Sequence, residues 1–249
     1  MTRENQLPEP EDLYQYLRNA IRDLYENSEY IDAADYRLEE SLRNAKQSLE
    51  FAEPTDWSLN FNPFLVFELD SPRDFPNGNG QARLGANIQV SDNEYEMFSC
   101  VLILAIDDRD NKGLQKGLHH CCLDSYSEDF HVLERMHWDV DTGELDSESK
   151  PLCHFQVGGK LSGSEFGAYE DYHYCSNGLD KPRIPHPPMG PILIFNMLIK
   201  QYHSLESFQQ DRWKTIISNG EEVLWEPYFE AAYGMVQGRD QIMDSLEVD

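Results

Sequence analysis

The chain has 249 residues, 40% of them apolar and 12% aromatic, enough for a sizeable core in one large domain or two small ones. Against 20 Lys and Arg stand 46 Asp and Glu, and the resulting net charge of −26 repels phosphate backbones and anionic membranes at long range. Nucleic acid is thereby disfavoured as a bulk surface partner, whereas solubility, a basic protein partner, or a local basic groove inside an acidic shell all remain compatible.

Met1 to Asp12 is polar and lacks the apolar stretch of a secretory signal. The longest apolar runs, Cys100–Ile106 and Ile192–Ile199, are too short to span a bilayer. Together with five cysteines, an odd number, this points to reduced thiols, no membrane partner and a cytoplasmic location.

Leu13, Leu17, Ile21 and Leu24 recur at helical spacing, and Ala34, Leu38, Leu42, Ala45 and Leu49 do so again after a polar break at Glu26–Glu29. Glu53-Pro54 closes the second stripe, which predicts a helical hairpin over 1–53. From Phe64 the period becomes two. Phe64–Leu69 is followed by a Pro- and Gly-rich loop, then Leu84, Ala86, Ile88 and Val90 alternate with polar residues as in a half-buried strand. Met97–Ile106 reads as a central strand covered on both faces.

Asp107–Gly113 predicts a turn, and Gln115–Ser125 a possible return strand. In the next strand Phe130, Val132, Met136, Trp138 and Val140 alternate with His131, Leu133, Arg135, His137 and Asp139. A turn at Asp141–Glu144 leads to Leu152–Val157. The aromatic, glycine-rich stretch up to Pro188 lacks periodicity and reads as a long ordered loop. Pro191 opens a buried helix, Ser204 caps another that Gly220 ends, and a last helix runs from Glu221 to Met235.

The fold class that follows is α+β, as a single domain over 1–249. It comprises a helical hairpin (1–53), a central antiparallel meander of about five or six strands (60–158) and a long loop (159–188). A helical part (189–237), packed on one sheet face, and an acidic tail (238–249) complete it.

Chemistry is concentrated in one pattern. His137 and Arg135 share a strand face, and His154 and Gln156 share a face of the strand expected beside it. Arg183 and His186 lie in a proline-stiffened segment before a helix N-terminus, a position that favours anions. His137, His154 and His186 are therefore the candidate catalytic residues, and Arg135, Gln156 and Arg183 the candidate anion- or ligand-binding residues. Their assembly depends on strand register, because one slip moves a side chain to the other face.

His119-His120-Cys121-Cys122 cannot close one tetrahedral site from a strand, where neighbours point to opposite faces, and no C-x-x-C pair exists. No metal or cofactor is assigned. Asp108–Gly113 resembles the start of a calcium loop but places Lys112 where an oxygen ligand belongs. No nucleophile elbow or phosphate-binding glycine loop occurs.

Three functional expectations result. The first is an acidic interaction protein, a subunit or accessory factor of a larger assembly with a protein partner. The second is a metal-independent His/Arg hydrolase or nuclease acting on a phosphodiester. The third is a metal or ligand sensor using Cys and His.

Overall fold

A computed structural model describes residues 7–26, 36–61, 65–69, 80–107, 130–140, 152–159, 172–174, 183–202 and 211–246. Helix α1 (Pro10–Glu26) starts with proline and two acidic residues, suited to the first turn and to the positive end of the helix dipole. Its Leu13, Leu17 and Ile21 are fully buried, and α2 (Tyr36–Phe51) packs beside it through Leu42, Ala45 and Leu49. The Tyr14 hydroxyl donates to the Leu49 and Ala52 carbonyls at 2.8 and 3.0 Å, satisfying groups that the end of α2 leaves open.

Among the described residues eight strands make one sheet: β1 (Trp57–Asn60), β2 (Leu65–Leu69), β3 (Gly80–Ser91), β4 (Glu94–Asp107), β5 (Phe130–Val140), β6 (Cys153–Val157), β7 (Tyr172–Tyr174) and β8 (Ile184–Pro185). The main path, β1-β3-β4-β5-β6-β8, is antiparallel throughout. β2 joins β3 beside β1, and β7 runs parallel to the first residues of β5. The β3–β4 hairpin turns through Asp92 and Asn93, both at positive φ (51° and 63°), the geometry that matches strand twist in a two-residue loop. Asp56 accepts hydrogen bonds from the Ser91 hydroxyl and the Asp92 amide, anchoring that turn to the start of β1.

The helices cover one face of the sheet. Leu84, Ala86, Ile88 and Val90 of β3, Phe98, Cys100 and Leu102 of β4, and Trp138, Val140 and Cys153 form one cluster with the helical side chains. Helix α3 (Pro191–Tyr202) contributes Ile192, Leu193, Ile194, Phe195 and Leu198, and α4 (Asp211–Leu246) adds Trp213, Ile217 and Leu224.

Several expectations need correction. Gly220 does not end a helix, because α4 continues through Pro227 to Leu246, into the expected tail. Glycine is required there for another reason: a Cβ would collide with the Tyr16 ring of α1. The expected loop over 159–188 carries β7 and β8, too short to show a period, and β1 was not foreseen. β3 is half-buried as expected only from Asn87 onward; before it both faces are covered, with Gln81 and Arg83 on the polar side each 2% exposed. The alternation expected along β5 also breaks. Leu104 pairs with Glu134 and Ala105 with Val132, leaving Leu133 as an extra residue. Val132 is thereby in phase with Arg135 and His137, while His131 falls opposite Ile106 and out of phase with them. The His119–Cys122 run, Asp108–Gly113, Gln115–Ser125, Asp141–Glu144 and Ser204 lie outside the described residues.

Candidate functional site

The face of the sheet opposite the helical cluster is built from cross-strand rows. One row runs Asn87, Ser99, Asp139, His154, Pro185. The next runs Gly85, Val101, His137, Gln156, and the third Arg83, Ile103, Arg135. Directly paired side chains on neighbouring antiparallel strands have Cβ atoms about 4.5–5.5 Å apart, so each row is a line of contacts. Among the described residues these rows hold two guanidiniums and two imidazoles against one carboxylate, so the guanidiniums leave the patch net positive in a strongly acidic chain.

The centre of the patch is Asp139. Its Oδ2 accepts from His137 Nδ1 at 2.6 Å and lies 3.8 Å from His154 Nε2, while its Oδ1 accepts from the Ser99 hydroxyl at 2.5 Å. Burial alone pushes the Asp139 carboxyl up. The bond from His137 and its charge, the Ser99 bond and the nearby His154 outweigh that, and the group titrates below the usual carboxylate range. A carboxylate can only accept, so His137 carries its proton on Nδ1 and presents Nε2 as the outer atom. That Nε2 is buried and has no hydrogen-bond partner among the described residues.

Gln156 stands directly across from His137. Its side chain is 1% exposed, and its Nε2 is likewise buried without a hydrogen-bond partner. An amide donor left unmade in the interior costs about 1–3 kcal/mol. Exposure falls along the patch from Asp139 at 26% to His137 at 13% and His154 at 5%.

Arg135 lies on the same face, with its Nη1 donating to the Gly158 carbonyl at 3.1 Å and its own carbonyl accepting from the Gly158 amide at 2.8 Å. Gly158 and Gly159, at φ of 91° and 87°, take backbone conformations that other residues avoid. Arg83, which sequence reasoning passed over, sits two strands from Arg135 in the same row, roughly 10 Å away by strand spacing. Its Nε donates to Gln81 at 2.9 Å. Arg183 is half-buried and immediately precedes β8; continuing the β6–β8 register by one residue sets it opposite Gln156.

His186 is not part of this group. Its amide donates to the Cys153 carbonyl and its ring lies 6.0 Å from that of Phe155, which faces Trp138 on the helical side. Its Nδ1 donates to the Pro187 carbonyl at 2.7 Å. Of the six residues singled out from sequence, five therefore share a face and His186 is on the other. Asp139 and Ser99 were missed as site residues although the strand alternation contained the signal: Asp139 is two positions from His137.

Among the described residues no group of three or more His, Cys, Asp and Glu side chains is arranged to hold a metal ion. Cys100 and Cys153 are buried on the helical side, where burial pushes the Cys153 thiol up to about 12 and Cys100 higher still. Neither is a reactive thiolate at neutral pH. No described helix is long and apolar enough to cross a membrane. No protein-family model matches the chain, and neither the curated proteins nor the solved structures offer one that does.

Proposed function

We propose that the polar sheet face is the site of a hydrolase that performs metal-independent acid–base chemistry on a phosphodiester. His137 is the general base, oriented by Asp139, and its Nε2 takes the proton of the attacking hydroxyl. His154, on the other side of the same carboxylate, supplies the acid. Arg135 and Arg183, with the Gln156 amide, hold the anion, in keeping with their position on a cationic patch. The observation supporting this reading is the 2.6 Å Asp139–His137 bond with the outer imidazole nitrogen left without a partner.

The test is turnover of bis(p-nitrophenyl) phosphate by the parent and by His137→Ala. Loss of one general base should lower turnover by roughly 10²–10⁴-fold at a temperature well below the thermal midpoint of the variant. Equal turnover in the two proteins, or a parent that cleaves neither this diester nor a dinucleotide, would sink the reading.

A second reading, an acidic subunit of a larger assembly, draws on a different observation. Phe229 and Tyr233 lie one turn apart on α4 and are 54% and 65% exposed, in a chain of net charge −26. Native mass spectrometry of protein purified from its source tests it. A co-purifying basic chain supports this reading, and a bare 28.9 kDa species counts against it. The sensor reading gains no support from Cys100 and Cys153, whose thiols are buried and protonated.

A further inference from the structure

Resting on the hydrolase reading above, we propose that the substrate brings its own nucleophile: a short ribonucleotide whose 2′-hydroxyl attacks the adjoining phosphodiester.

The polar atoms argue for this. Both oxygens of Asp139 are engaged, one by Ser99 and one by His137. Behind that carboxylate, on directly paired residues, lie one acceptor, His137 Nε2, and one donor, Gln156 Nε2, both buried and neither hydrogen-bonded among the described residues. An acceptor and a donor side by side match a hydroxyl next to a phosphoryl oxygen. A free water would need further partners to be held in line, whereas a vicinal hydroxyl is already placed by the sugar. Intramolecular placement of this kind reaches effective concentrations of about 10⁵–10⁸ M.

In the step itself, His137 Nε2 takes the proton of the 2′-hydroxyl as that oxygen bonds to phosphorus. The bond from phosphorus to the 5′-oxygen breaks, and protonated His154 returns a proton to the departing oxygen. The products are a 2′,3′-cyclic phosphate and an alcohol, with no water consumed and the histidines left in exchanged protonation states. The Gln156 amide donates to a non-bridging oxygen throughout.

Charge and burial restrict the length. Each additional phosphate must enter the field of a −26 chain, and the reacting groups are 13% exposed or less. A dinucleotide is favoured over a polymer, and the penalty on the polymer shrinks as salt screens the field.

The experiment compares the diribonucleoside monophosphate UpA, its 2′-deoxy counterpart, a long RNA and bis(p-nitrophenyl) phosphate, with products separated by chromatography. Cleavage of UpA to a cyclic phosphate, at least about a hundredfold faster than the deoxy compound, is the expected result. Long RNA should be cut more slowly than UpA at low salt, with the gap narrowing as salt rises. Equal cleavage of both dinucleotides, or of bis(p-nitrophenyl) phosphate alone, overturns the ribonucleotide inference and leaves the hydrolase reading standing. No turnover of any of the four overturns both.

Discussion

At the scale of single residues, Gln156 separates a site from a scaffold. A buried amide without a partner burdens the folded state, and an apolar side chain of similar length removes that burden. Gln156→Met should therefore raise stability by about 1 kcal/mol in denaturant unfolding while lowering turnover. A loss of stability would mean that the amide is a working part of the core. Asp139 gives a second prediction. Its folded-state pKa is depressed, so its contribution to stability is complete above the unfolded carboxylate value, about 3.9, and is lost as pH falls through the lower folded value. Asp139→Asn should flatten the stability profile below about pH 4, as measured by thermal unfolding across pH. Asp23 works in the opposite sense: burial, only partly offset by its ion pair with Arg212, raises its carboxyl, so protonation there favours the fold.

Among the elements, Gly220 shows how one residue can mislead a reading of boundaries. Alanine in a helix interior gains about 1 kcal/mol over glycine, yet here a Cβ meets the Tyr16 ring, and overpacking of that kind costs about 1–3 kcal/mol. Gly220→Ala should destabilise the parent but stabilise a Tyr16→Leu background, a sign reversal that a double-mutant cycle reads directly. The same competition explains what was legible in the sequence. Long periodic stretches such as Leu13–Leu24 and Leu84–Val90 had their apolar faces decided by spacing alone. Gly220 looked like a stop because its reason lies in another helix. The polar side of β3 looked solvated because nothing in its own alternation tells that Gln81 and Arg83 are covered. Five of the six candidate residues share a face because β5 and β6 are neighbours whose pairing set His137 against Gln156. His186 fails because its position is fixed by β8, whose two residues are too few to show a period.

For the whole molecule, charge is the dominant property. With 46 acidic against 20 basic residues, the compact state concentrates like charges that the unfolded chain spreads apart. Added salt should raise the thermal midpoint progressively, most steeply below about 0.15 M, where the screening length is still near 8 Å or more. A midpoint that is flat or falling with sodium chloride would show that specific ion pairs outweigh the net repulsion. The cationic patch on the sheet is the exception within this field, and its arginines draw part of their worth from the acidic surroundings.

One strand belongs to two neighbours with different histories. The outer edge of β5 is taken by β6 at Met136–Val140 and by β7 at Phe130–Val132, with residues 133–135 between them. β6 returns antiparallel soon after β5, whereas β7 comes from much further along the chain and pairs in parallel, so closing it costs more conformational entropy. The two ends of β5 should then open independently. In native-state hydrogen exchange, amides near Phe130–Val132 would exchange through a local opening that leaves Met136–Val140 protected. The Asp139–His137 pair would stay assembled while the far end of its own strand comes and goes.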